Sequence, residues 1–234
     1  ISGGQFDNVI CSRCDAVVAL PTGSGRAFEA FIREFEGVLK NEYAVTDPGV
    51  TLTCAAAEAA KAVPAERTAT LVQALAAMPQ GVEAMDTDFP GLVQTSLNMG
   101  VVKLDGDGLH ITFSIRSSIA SRKLMLAQRV RAVAALAGGT VAERGVYPGW
   151  QYKRESKFRD TLLAAYKDLT GKDGVVEATH GGLECGLLME KIPGLDAVSM
   201  GPELHDVHSV RERLNVPSTE RTYELVCELL RRSC

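Results

Sequence analysis

Two runs of alternating apolar and polar residues, Leu92 to Leu104 and Leu109 to Ile115, meet at Asp105-Gly-Asp-Gly108. Successive side chains on a strand point to opposite faces, so each run can bury one face and leave the other wet. An Asp-Gly turn between two such runs is the pattern of a β-hairpin. An antiparallel pair with one apolar face must be covered, and helices are the natural cover.

The helices are legible on either side of the hairpin. Arg26 to Tyr43 places Phe28, Phe31, Ile32, Phe35, Val38 and Leu39 on one stripe, which reads as core rather than as a cofactor site. Pro64 can open a second helix, with Leu71, Val72, Leu75 and Met78 inward and Pro79-Gln-Gly81 as its end. Ser118 to Ala137 gives a third, with Leu124, Val130, Val133 and Leu136 inward. Further strands are expected at Val9–Ile10, Ala16–Leu20 and Val141–Tyr147. Residues 1–147 are therefore expected to form an α+β domain, an antiparallel sheet with helices on one face.

Tyr147-Pro-Gly-Trp150 marks the expected boundary. Beyond it, helices at Ser156–Leu169, Leu183–Glu190 and Ser218–Arg232 alternate with short strands at Val175–Ala178 and Leu195–Met200. Ser218 is the expected cap of the last helix. That alternation predicts part of a parallel α/β sheet over residues 148–234. Ligands of such sheets sit outside the carboxyl ends of the strands. Two loops fall there: His180-Gly-Gly-Leu-Glu-Cys-Gly186, and the Gly201–Val210 loop carrying His205-Asp-Val-His208.

The chain has 234 residues, 46% of them hydrophobic, with a net charge of -4. These values suit a folded protein with a core and argue against nucleic acid as a partner. No apolar run is long enough to span a bilayer. The chain opens on Ile1 and shows no signal peptide, which suggests a fragment, a processed chain or a trimmed one.

Several residues could carry chemistry. Cys11-Ser-Arg-Cys14 is a lone CxxC, expected to be ordinary reduced thiols rather than a zinc or redox site. A histidine of the 201–210 loop could ligate a metal, with Asp206 or a backbone carbonyl orienting it. Arg116, at the end of a strand pattern, can grip a carboxylate or merely be a surface residue. Glu184 can pair with a substrate amine or cap a helix. The glycines around it would let the turn come close to a bound molecule.

Taken together, "THGGLECGLL", "DAVSMGPELHDVHSVRERL", "VYPGWQ" and "QTSLNMGVV…IRSS" resemble the C-terminal half of aminoacyl-histidine dipeptidase, a zinc peptidase with a lid domain. The resemblance is collinear along essentially the whole chain. It implies a lid and dimerisation domain over residues 1–147, incomplete at its N-terminus. It also implies the C-terminal part of an α/β zinc-peptidase catalytic domain over 148–234. Two zinc ions, or manganese or cobalt, would serve a complete active site. His208 matches a zinc ligand, although Val210 stands where the family has proline. Asn98, Arg116, Glu184 and His180 match substrate-side positions. The general base and the remaining metal ligands belong upstream of this chain, so no catalytic residue is expected on it.

The function implied is zinc-dependent hydrolysis of dipeptides, preferentially Xaa-His, by a cytoplasmic homodimer joined through the lid, with no nucleic-acid or membrane partner. This chain alone is expected to be inactive. The alternative from another class is a non-catalytic dimerisation or binding module, which would hold no stoichiometric zinc. A redox protein using Cys11 and Cys14 is a third.

Overall fold

The computed structural model describes residues 1–58, 61–106, 108–180, 182–207 and 209–233. In chain order the elements are β1 (Ser2–Gly3), β2 (Cys14–Asp15), α1 (Gly25–Glu42), α2 (Ala65–Ala77), β3 (Gly81–Met85), β4 (Val93–Leu104), β5 (Leu109–Ser117), α3 (Ala120–Leu136), α4 (Lys157–Thr170), α5 (Glu184–Lys191), β6 (Leu204–His205), β7 (Arg213–Leu214) and α6 (Val216–Ser233). The fold is mixed α/β, with an antiparallel sheet and helices, as expected. Two compact units divide it: Ile1–Ala76 with Met99–Phe113, and Ala77–Asn98 with Ser114–Cys234.

In the first unit, β1 lies antiparallel between β2 and the distal half of β4, with Gly3 opposite Cys14 and Val102. Val9–Ile10 and Ala16–Leu20 are not strands, contrary to expectation. Pairing, not composition, makes a strand. The β4–β5 hairpin forms where its alternation predicts, with the Asp105 N–H donating to the Gly108 carbonyl at 3.1 Å. Asp107 of that turn lies outside the described residues.

Helix α1 forms on schedule, yet none of its residues is buried. Phe31 and Phe35 stack at 5.8 Å while 55% and 41% exposed. Periodicity identifies a face that needs cover and is silent on whether the cover is present.

In the second unit, β3 pairs with the proximal half of β4, with a register irregularity between Val82 and Met85. This strand is absent from the sequence expectation, because Val82-Glu-Ala-Met85 has no clean alternation. Helix α3 buries Leu126 and Val130 rather than Leu124 and Leu136, which stay exposed. Arg129 ties it to Glu83 of β3 at 2.8 Å. Helices α4 and α6 pack through Ala165, Leu225 and Leu229, with Leu162 and Tyr166 against them.

Val141–Tyr147, Val175–Ala178 and Leu195–Met200 are not strands. The parallel pairing expected there is not formed among the described residues. Leu195–Met200 nevertheless has a clear task. Asp196 accepts from the Ser156 hydroxyl at 2.8 Å and from the Phe158 N–H at 3.1 Å. Ser156 in turn caps α4 by accepting from the Arg159 N–H. Helix α6 begins two residues before the expected cap, and Asn215 Oδ1 accepts the Ser218 N–H instead. Ser218, 4% exposed, accepts from the Glu203 N–H and donates to the Asn215 carbonyl.

Candidate functional site

The site is built on the second unit, from the alternation of two strands. Thr95 and Leu97 of β4 are buried, at 0% and 2% exposed, and Ser117 of β5 is buried with them. The Thr95 and Ser117 hydroxyls meet at 2.8 Å, and the Ser118 N–H donates to the Gln94 carbonyl at 3.3 Å. These two contacts set the pairing, so Ser96 lies across from Arg116. With one set of side chains committed inward, Ser96, Asn98 and Arg116 share the other face.

The segment from Tyr147 to Trp150 brings a loop to that face. A Cβ on Gly149 would stand 2.6–2.7 Å from the carbonyl oxygens of Ser117 and Ser118. Only a glycine lets this segment lie against the end of β5. Gly182 repeats the device one step further on. Its Cβ would stand 2.5 Å from Tyr147 Cδ1, and a Cβ on Gly186 would press on Trp150 and the Pro148 carbonyl at 3.3–3.4 Å. Gly182 and Gly186 are thus accounted for by packing on residues 147–150. Gly181 lies outside the described residues.

So anchored, the loop delivers His180 to the sheet. Its Nε2 and the Ser96 hydroxyl are 3.1 Å apart. The imidazole is half-buried, and burial is the main reason its pKa sits below the ordinary 6.5; the positive charge of Arg116 adds to the effect. Arg116 is exposed and has no acidic partner among the described residues. Glu184 opens α5 in its first turn and is exposed. It also reaches Tyr147 electrostatically. Burial first, then the charges of Glu184 and Cys185, hold the Tyr147 phenol above its ordinary value, so it stays protonated at neutral pH.

The structure therefore gathers Ser96, Arg116 and His180, with Asn98 on the same strand face and Glu184 beside Tyr147. Ser96 and Tyr147 are absent from the sequence expectation. Ser96 was within reach of it, since it stands two residues before Asn98 on the same strand.

The histidine loop departs from expectation. Leu204–His205 and Arg213–Leu214 form an antiparallel pair, with His205 opposite Arg213. The Asp206 carboxylate takes Arg213 at 2.9 Å. His208, the expected metal ligand, lies outside the described residues. Among the described residues no three His, Cys, Asp or Glu side chains converge on a point that would hold a metal ion. They do not by themselves fit zinc. The described cysteines, Cys11, Cys14, Cys54, Cys185 and Cys227, are free thiols. No described helix is long and apolar enough to cross a membrane.

Comparison with known proteins places this geometry in a class. No family model matches the chain. Its fold is shared, with a TM-score of 0.52 over 69% of this chain and 44% of the other, by the aminopeptidase PepT of Bacillus cereus at 18% identity. A fuller likeness is to the crystal structure of aminoacylhistidine dipeptidase from Vibrio alginolyticus: TM-score 0.90 and 29% identity, over 99% of this chain and 47% of that one. In sequence the chain is 31% identical over 231 residues to the cytosol non-specific dipeptidase of Escherichia coli K12, covering 98% of this chain and 48% of that protein. The resemblance read from the sequence thus holds along nearly the whole chain, and the chain spans about half the length of the curated relative it matches.

Proposed function

We propose that the complete protein is a cytoplasmic zinc-dependent dipeptidase that favours Xaa-His substrates, and that this chain supplies its substrate-binding side. The carrying observation is the Arg116 guanidinium, without an acidic partner among the described residues, on one sheet face with His180 and Ser96, in a chain similar to dipeptidases. A planar cation with two parallel N–H groups matches a substrate carboxylate. Asn98 extends that polar face, and Glu184 meets the substrate amine. His208 serves as a metal ligand, while the other ligands and the general base belong to the part of the relatives that this chain does not span. We assign residues 1–147 to the lid and 148–234 to the catalytic domain. The lid is also the proposed dimer contact, in keeping with the uncovered Phe31 and Phe35 on α1.

The test is hydrolysis of a Xaa-His dipeptide with added zinc, by the complete protein and by residues 1–234 alone. Turnover by the complete protein only is expected. Dipeptide binding without turnover by the complete protein overturns the peptidase reading in favour of a binding module.

A further inference from the structure

The proposed carboxylate site has a second arm whose chemistry differs from the first. Arg116 carries a permanent charge, whereas the His180 imidazole can gain or lose a proton. Among the described residues, the His180 imidazole makes one hydrogen bond, through Nε2 to Ser96. Among the described residues its Nδ1 has no hydrogen-bond partner. The charged groups around it are few. Arg116 acts on it from β5, and from its own loop Glu184 and Cys185 act on the neighbouring Tyr147. Ser96 and Asn98 on β4 are uncharged. Arg116 is the charge that disfavours the imidazolium.

A serine hydroxyl both donates and accepts. Ser96 can donate to Nε2 of the neutral ring and accept from Nε2–H of the protonated ring, so the contact survives protonation. Burial is the larger reason that His180 stays neutral, and a carboxylate on Arg116 cancels the second one, the repulsion from that guanidinium. With Nε2–H turned to Ser96, the new Nδ1–H is free to donate to that carboxylate. We infer that Arg116 and His180 form a two-armed carboxylate clamp that takes up one proton from solvent as it closes on its anion. The inference deepens the proposed function and rests on that reading for the substrate, but not for the clamp itself. The balance is simple: neutral His180, a carboxylate and one proton give an imidazolium–carboxylate pair.

The experiment uses the complete protein and N-acetylglycine, which carries one carboxylate, ionised throughout the useful pH range, and no amine. Calorimetric titrations in buffers of different ionisation enthalpy count the protons taken up per molecule bound. Uptake of a fraction of a proton near pH 7 is expected, greatest between the His180 pKa of the bound protein and that of the free protein and vanishing below the free value, with affinity rising by at most about tenfold per pH unit inside that window. N-acetylglycinamide, lacking the charge, should bind weakly and take up none. His180→Gln should still bind N-acetylglycine through Arg116 but with no proton uptake and a flat pH profile. Ser96→Ala should reduce uptake, and Arg116→Lys should weaken binding at every pH. Binding with no uptake, uptake unchanged in His180→Gln, or no binding at any pH overturns the clamp. If uptake is seen while no dipeptide is hydrolysed, the clamp stands and the peptidase reading falls.

Discussion

At the scale of single residues, position on a strand decides role. Ser96 and Arg116 reach the open face because Thr95, Leu97 and Ser117 are taken up inside. Losing a charged hydrogen bond costs about 1.5–3 kcal/mol. Arg116→Ala in the complete protein should therefore lower kcat/KM for a dipeptide by about 10- to 100-fold. Unchanged steady-state kinetics would remove Arg116 from the substrate site. His180 also makes a prediction about stability. Its folded pKa lies below its ordinary 6.5, so the folded state resists the proton. Stability is full above pH 6.5 and declines as pH falls from there to the folded value. Thermal denaturation of His180→Gln, compared with the parent, should show a smaller drop in Tm across that window. Asp196 has the opposite sign. The Phe158 N–H foremost, then Ser156 and Lys153, hold its carboxyl below the ordinary range, so its contribution is present at neutral pH and lost in acid. Asp196→Ala should cost about 1–2 kcal/mol in denaturant unfolding at neutral pH, as loss of a cap does, and less at low pH.

At the scale of elements, helices were far more legible than strands. Helices close their hydrogen bonds within one segment, so Arg26–Tyr43, Ser118–Ala137 and Ser156–Leu169 declare themselves by period alone. The strands of 175–200 were misread because a strand exists only through its neighbour. The glycine loop shows the same dependence. Its residues suggested a ligand, while its geometry shows packing on Tyr147 and Trp150. Gly182→Ala should displace the Tyr147 ring and dislodge His180 from Ser96, seen as a rise in the His180 pKa by NMR. Pairing it with Tyr147→Val should recover part of the loss. Gly149→Ala meets backbone carbonyls that cannot step aside, so it should be the more damaging, beyond the about 1–3 kcal/mol typical of overpacking. Equal and small losses in both variants would contradict the account of these glycines.

At the scale of the molecule, the division into two units does not follow the linear sequence. β4 and β5 each contribute residues to both units. The chain's likeness to dipeptidases covers nearly all of it and about half of them. Added zinc should leave the melting temperature of the 1–234 chain nearly unchanged, since the described residues make no metal cluster, and should raise that of the complete protein. A large rise in the 1–234 chain would place a complete metal site on it.

The sequence by itself determined what local order can carry: the hairpin, the helices, and the residue types of the polar face of β4 and β5. Composition and period report each segment's own preferences, and these are local quantities. Tertiary structure alone decided which face of β4 is buried, that His180 meets Ser96 across 84 positions, and that Gly149 and Gly182 serve close packing. Those outcomes depend on contacts between segments distant in the chain, whose free energy no window of sequence contains.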